Sequence, residues 1–147
     1  MQEVPFETVR YGKVTAVDRK KCLARVLFED RDNQVSPWLP VMQKNTMNHK
    51  FYWLPDIDEI AVCLFLSNGE ENGLIIGTVY SDVDKPVHEI FDEDKERHGV
   101  WFKDGTFIKY EHDTKKLEIE CAGEIHIRAK GNIYIDGPEI HLNSGGG

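Results

Sequence analysis

Toward its end the chain reads LEIECAGEIHIRAKGNIYIDGPEIHL from Leu117 to Leu142, with apolar and polar residues alternating almost without a break. A two-residue period sends successive side chains to opposite faces of an extended backbone. Such a ribbon therefore has one apolar and one polar face along its length. At a spacing of eight it falls into columns. Leu117, Ile125 and Ile133 share one, and Ile119, Ile127 and Ile135 the next. The small residues Cys121, Ala129 and Gly137 form a third, and Gly123 and Gly131 a fourth. Eight residues are a whole number of pleats, so each column keeps its face. Strand, glycine corner, strand is the pattern of a winding β-structure. After Gly137-Pro138 the phase slips by one residue, and Ile140 and Leu142 carry the apolar positions, which fits a bulge or capping turn.

The opposite face carries Glu118, Glu120, Glu124, His126, Arg128, Lys130, Tyr134 and Asp136, and must meet water. A lone alternating ribbon is marginal in water. Its dry face needs a cover. The ribbon either folds back on the rest of its own chain as a sandwich, or packs with identical ribbons around an axis. The small-residue column favours the second arrangement, and the periodicity leaves both open.

The remaining sequence bounds what the ribbon is attached to. A chain of 147 residues holds one or two domains. Acidic residues number 26 and basic residues 18, for a net charge of −8, which disfavours a duplex-binding face. No apolar run is long enough for a membrane helix, and MQEVPFETVR lacks the apolar core of a secretory signal, so neither is expected. Cys22, Cys63 and Cys121 are odd in number and widely spaced, unlike a disulfide framework. Cys63 and Cys121 lie in apolar or alternating runs and read as buried thiols, consistent with folding in a reducing cytosol.

Residues 10–80 read as short strands. RYGKVTAVD turns at Arg19-Lys20-Lys21 into CLARVLFE, and DRDNQVS follows as a loop. Pro37 and Pro40 confine PWLPVM to an edge or bulge. FYWLP at 51–55 is strongly β-prone. IAVCLFL is the most apolar run and reads as the central strand. Asn68-Gly69 signals a turn before LIIGTVY. Five or six strands without a helical period predict a small closed barrel or sandwich. The charged stretch 81–99 reads as a linker or one short helical turn. WFKDGTFIKYE then forms a hairpin around Asp104-Gly105, and HDTKK a second turn.

Chemistry-bearing constellations are sparse. Asp56, Asp58, Glu59 and the run from Asp92 to Glu96 supply carboxylates, but acidic surface loops look the same. There is no CxxC, and His49, His88, His98 and His112 are scattered in loops, so no metal or other cofactor is expected. His126 and His141 stand singly on the polar register. Phe51, Tyr52 and Trp53, beside His49 and Lys50, are the candidates for stacking on single-stranded nucleic acid. Packing of Tyr52 and Trp53 in the barrel or against a neighbouring barrel is the simpler reading.

An ordered series of segments resembles the phage baseplate assembly protein V and contractile-tail central spike family. It comprises Gly12-Lys13-Val14, Ala24-Arg25-Val26, Trp38-Leu39-Pro40-Val41, Tyr52-Trp53-Leu54-Pro55, Asp58-Glu59-Ile60-Ala61-Val62 and Gly73-Leu74-Ile75-Ile76-Gly77-Thr78-Val79-Tyr80. Trp101-Phe102-Lys103-Asp104-Gly105-Thr106-Phe107-Ile108-Lys109-Tyr110 resembles the entry into the family's trimeric β-helix.

The resemblance implies an all-β chain. An OB-fold barrel would span 1–82, a linker 83–99, a short intertwined trimeric β-helix or β-prism 100–143, and a flexible glycine tail 144–147. It implies a homotrimer whose core is Leu117, Ile119, Ile125, Ile127, Ile133, Ile135, Ile140 and Leu142. With each strand pass adding roughly 4.8 Å, the β-helix would be a stub of about 15–20 Å. Such a prism has no free lateral edge, so its backbone groups pair between chains.

The implied role is a non-enzymatic hub of a contractile injection baseplate. It would be made in the cytoplasm, assembled into a virion or tail particle, and would touch the target cell envelope transiently. The OB end, through Trp38, Tyr52 and Trp53, would meet the tail tube or hub protein. Longer relatives end in a fine tip where His-x-His pairs hold iron. This chain has no such pair, and Ile140, Leu142 and Asn143 would instead dock a separate tip protein. No nucleic acid is implied as a partner. The competing readings are an OB module for single-stranded nucleic acid or oligosaccharide with a β-extension, and a small carbohydrate-active β-protein.

Overall fold

The computed structural model describes residues 8–66 and 72–143. The N-terminal residues 1–7, the Asn68-Gly69 turn and the glycine tail 144–147 lie outside the described residues. The chain divides into two compact units, Met1–Phe91 and Asp92–Gly147.

The first unit is one antiparallel sheet. Its strands are β1 (Val9–Asp18), β2 (Leu23–Phe28), β3 (Gln34–Val35), β4 (Leu39–Pro40), β5 (Ile60–Phe65) and β6 (Gly73–Val79). They run in the order β3-β2-β1-β5-β6, with β4 also paired to β2. The run IAVCLFL is thus an interior strand, while β1 holds the middle of the order. β2 and β5 each alternate half-buried and buried residues, as a strand with one face on a core must. Val14, Ala24, Val26, Phe28, Leu39, Ala61, Cys63, Phe65 and Ile75 form that core at 0–3 % exposure. Gly12 is a packing requirement, because a β-carbon there would meet the Val26 side chain and the Leu27 carbonyl.

The edge beside β2 shows how the prolines act. β3 and β4 lie on the same side of β2, separated by Ser36-Pro37-Trp38. Across that break Ser36 N–H donates to the Val26 carbonyl (2.8 Å), and Val26 N–H donates to the Ser36 hydroxyl (3.0 Å). A side-chain oxygen thus stands in for a ladder carbonyl where the chain departs from strand geometry.

The closed OB barrel expected for residues 1–82 is not formed. β6 has a ladder with β5 alone, and the sheet ends there. A single parallel bridge, Val41 to Ile75, links the far side, with Met42 N–H donating to the Ile75 carbonyl (2.8 Å). β4 is two residues long and ends on Pro40, so it offers β6 no run of backbone donors and acceptors to ladder against.

FYWLP is also not a strand. Residues 51–55 are extended without a ladder, because a side chain takes the place of a partner strand. Trp53 N–H donates to Gln43 Oε1 (2.9 Å), and Gln43 Nε2 donates to the Trp53 carbonyl (2.6 Å). The charged stretch after β6 includes one helical turn, α1 (His88–Phe91).

The second unit is a three-stranded antiparallel sheet, β7 (Arg97–Trp101), β8 (Phe107–Glu111) and β9 (Lys116–Glu120), in that order. Its β7–β8 turn holds Asp104, whose Oδ1 accepts from Thr106 N–H (3.0 Å). Hydrogen bonds from Thr106 hold the Asp104 carboxyl below its usual pKa. Among the described residues, strand pairing within the chain ends at Glu120. Residues 121–143 have no ladder of their own.

Candidate functional site: an apolar face continued from sheet to ribbon

The register of the small sheet sorts its side chains. Val100 lies opposite Ile108, and Ile108 opposite Ile119. The next row is His98, Tyr110 and Leu117. These rows share one face, and Val100, Ile108, Tyr110, Leu117 and Ile119 on it are all exposed. The other face carries the ion pairs. Arg97 meets Glu111 at 3.3 Å in a largely buried pair, and Lys116 meets Glu118 at 3.1 Å. Lys109 lies over the Phe107 ring at 4.2 Å. That face also carries Trp101 and Phe107, both half-buried, while the row of Val100, Ile108 and Ile119 opposite is open. Gly99 allows the close β7–β8 approach, since a β-carbon there would collide with the Ile108 carbonyl and Lys109.

The apolar register passes directly into the ribbon. Ala122 N–H donates to Thr106 Oγ1 (3.1 Å), fixing the point where the chain leaves the sheet. Beyond it the backbone bends at 122–123, 130–131 and 138, about every eight residues, with straight segments at 124–129 and 132–137. Gly123 and Gly131 sit at two of the bends, as the column analysis expects. Leu117, Ile119, Ile125, Ile127, Ile133, Ile135, Ile140 and Leu142 are 51–86 % exposed. Cys121, expected to be buried, is half-exposed, and its thiol donates to the Glu124 carbonyl (3.5 Å). Asn143 is likewise exposed.

The polar register carries a feature the sequence reading missed. Both straight segments, and the stretch after the bend at 138, have a side-chain pair two residues apart: Glu124 with His126 (2.8 Å), Asn132 with Tyr134 (3.1 Å) and Glu139 with His141 (3.2 Å). The first two occupy equivalent columns eight apart, and the third follows the one-residue slip. The signal was available as Glu-x-His, Asn-x-Tyr and Glu-x-His, eight and then seven residues apart. These pairs brace an extended backbone from its wet side, at exposed positions where each contributes about 1 kcal/mol at most.

In the first unit, the residues expected at an interface are placed differently from one another. Tyr52 and Trp53 line a groove of about 410 Å³ with Arg19 and Asp56, and both rings are more than half exposed. The Tyr52 hydroxyl donates to the Arg19 carbonyl (3.1 Å), which anchors the loop. Trp38 is not in that groove. Its ring lies under the Arg25 guanidinium at 5.6 Å, while Arg25 Nε donates to the Ser36 carbonyl (3.0 Å). Met42, Met47, Phe51 and Ile57 add further exposed apolar surface on the loops around Gln43. Among the described residues no three His, Cys, Asp or Glu side chains gather as a metal-holding group. No helix among the described residues is long and apolar enough to cross a membrane.

Comparison with known proteins assigns this arrangement. Residues 10–80 match the family model of the type VI secretion system/phage-baseplate injector OB domain. Residues 10–80 are a domain of this baseplate-injector family. No curated protein matches it. The matched span covers β1 to β6, so in this chain the family's domain takes the form of the open sheet described above. Membership of this domain in the family makes the chain a structural, non-enzymatic part of a phage-type injection apparatus. Its partners are tail or baseplate components, and its place is in the assembled tail structure.

Proposed function

We propose that the protein is the central spike and hub of a contractile injection baseplate, acting as a homotrimer. One observation carries the reading. A row of apolar residues, shifted by one position at Gly137-Pro138, runs from β7–β9 through Leu142, exposed in a single chain, on a backbone with no ladder of its own after Glu120. Backbone N–H and C=O groups and a row of isoleucines both need partners, and three identical ribbons winding about one axis satisfy both at once. Leu117, Ile119, Ile125, Ile127, Ile133, Ile135, Ile140 and Leu142 then form stacked core layers, with residues 100–143 as the β-helical stub. The sheet face of Val100, Ile108 and Tyr110 enlarges this core at its entry. The paired polar side chains of each segment face outward.

In this reading the first unit meets the tail tube or hub protein, through surfaces that include Trp38, Tyr52 and Trp53. Ile140, Leu142 and Asn143 present the end that a separate tip protein caps, and that tip touches the target envelope on contraction. Load is carried because separating one layer requires separating three chains.

Amide hydrogen exchange on the intact protein tests the arrangement. Residues 124–135 are expected to be protected to the level of the β1–β2–β5 core. Exchange of 124–135 at the rate of an unstructured chain would overturn it.

A further inference from the structure

The first unit contains an unfilled seam. β6 is bridged to Val41 at Ile75 and then diverges. From Ile76 to Val79 no backbone hydrogen bond other than those of the β5 ladder is formed among the described residues. Between this edge and the loops opposite lies a groove of about 120 Å³, lined by Met42, Trp53, Pro55, Glu59, Gly77 and Thr78 among others. A β-carbon on Gly77 would meet nothing within 4 Å, so the groove that Gly77 lines is open on this face of β6. Ile76, Val79 and Tyr80 along it are exposed.

A bare strand edge has specific chemistry. Its donors and acceptors alternate at backbone spacing, and only another extended backbone matches them. The groove also has a polarity. Glu59 lines both the seam and a neighbouring wider groove, which holds Asp56, Asp58, Asp82 and Asp84 with Lys13 as its one basic residue. A strand leaving the seam past Glu59 therefore enters negative surface.

We propose that the seam between residues 41–42 and β6 receives an extended segment of a partner protein, apolar where it lies beside Met42, Trp53 and Pro55 and basic where it passes Glu59 into the acidic groove. The added strand pairs with the outer edge of β6 and fills the gap that β4 leaves. Its basic residues face the Asp and Glu side chains, which gives direction and sets partner choice. The inference concerns residues 41–84 and stands independently of the trimer.

The test uses the full chain and two labelled peptides. One alternates valine and threonine and ends in a pair of lysines, and its twin ends in a pair of glutamates. Fluorescence anisotropy is expected to show saturable binding of the lysine peptide, about tenfold tighter than its twin. Raising the salt should narrow that gap. Gly77→Leu places a side chain in the groove that the peptide's side chains would occupy, without a clash, and should abolish binding, with the unfolding midpoint preserved as the control. Glu59→Gln should weaken the lysine peptide alone. Failure of the lysine peptide to bind would overturn the proposal, as would equal binding of the two peptides or unchanged binding by Gly77→Leu.

Discussion

The two units treat apolar side chains in opposite ways. In the first, nine apolar side chains on five strands are 0–3 % exposed and cover one another within a single chain. In the second, Trp101 and Phe107 are half-buried on one side of the sheet, the isoleucines and leucines of the other side and of the ribbon are exposed, and among the described residues no apolar side chain is buried. The difference lies in sequence spacing. β1, β2 and β5 are separated by turns and loops that let one sheet coil over itself. The ribbon from Leu117 repeats every eight residues and never reverses far enough to meet its own face. The first unit is thus complete as a core in one chain, and the second has the composition of a core whose other walls come from elsewhere.

The largest effect expected from perturbing this contrast is in the ribbon. Ile127→Asp or Ile135→Asp would put three carboxylates near one axis, an unpaired buried-charge cost of several kcal/mol per chain. Assembly should be lost while the first unit still unfolds cooperatively, as read by light scattering with calorimetry.

Leu39→Ala and Ile119→Ala form a matched pair. Leu39 is fully buried in its own chain, so its truncation should cost about 2–5 kcal/mol at any protein concentration. Ile119 is exposed in one chain, and its truncation should lower stability in a concentration-dependent way, because the partner wall comes from another copy.

Cys63 gives a smaller effect confined to the first unit. Burial raises its pKa from 9.0 to about 11, against the opposing pull of the Arg10 guanidinium. A thiol whose folded pKa is raised stabilises the fold fully below pH 9 and loses that contribution as the pH climbs toward 11. The loss is about 2–3 kcal/mol at most. Denaturant midpoints measured on both sides of this window should fall for the wild type, and Cys63→Ala should flatten that fall. The smallest change belongs to Arg128→Asp on the wet face, expected to shift stability by about 0.5 kcal/mol or less and to leave assembly intact.

Much of this contrast is legible in the sequence, and the exceptions have physical reasons. The strands RYGKVTAVD, CLARVLFE, IAVCLFL and LIIGTVY are marked by apolar runs bounded by turn residues, and all four form, though RYGKVTAVD and not IAVCLFL is central in the sheet. The bends at Gly123 and Gly131 follow from the eight-residue columns. FYWLP misled because β-propensity reports a fit to a pleated surface, whereas here the Gln43 amide occupies the partner's place. Barrel closure was not legible because it depends on one non-local contact, Val41 to Ile75, beside a two-residue strand ending in proline. Ile108 and Tyr110 of the open face were present as alternation in IKYE, and Val100 lies just before WFKDGTFIKYE. Which side of that hairpin would be shielded depended on Arg97 reaching Glu111, a cross-strand pair that sequence spacing alone does not reveal.

The central claim, that the ribbon's core is built between chains, is tested most directly by the molar mass of the intact protein in solution. Light scattering should give about 51 kDa, three chains of 16.9 kDa each, persisting on dilution. A stable species of 16.9 kDa would contradict the account.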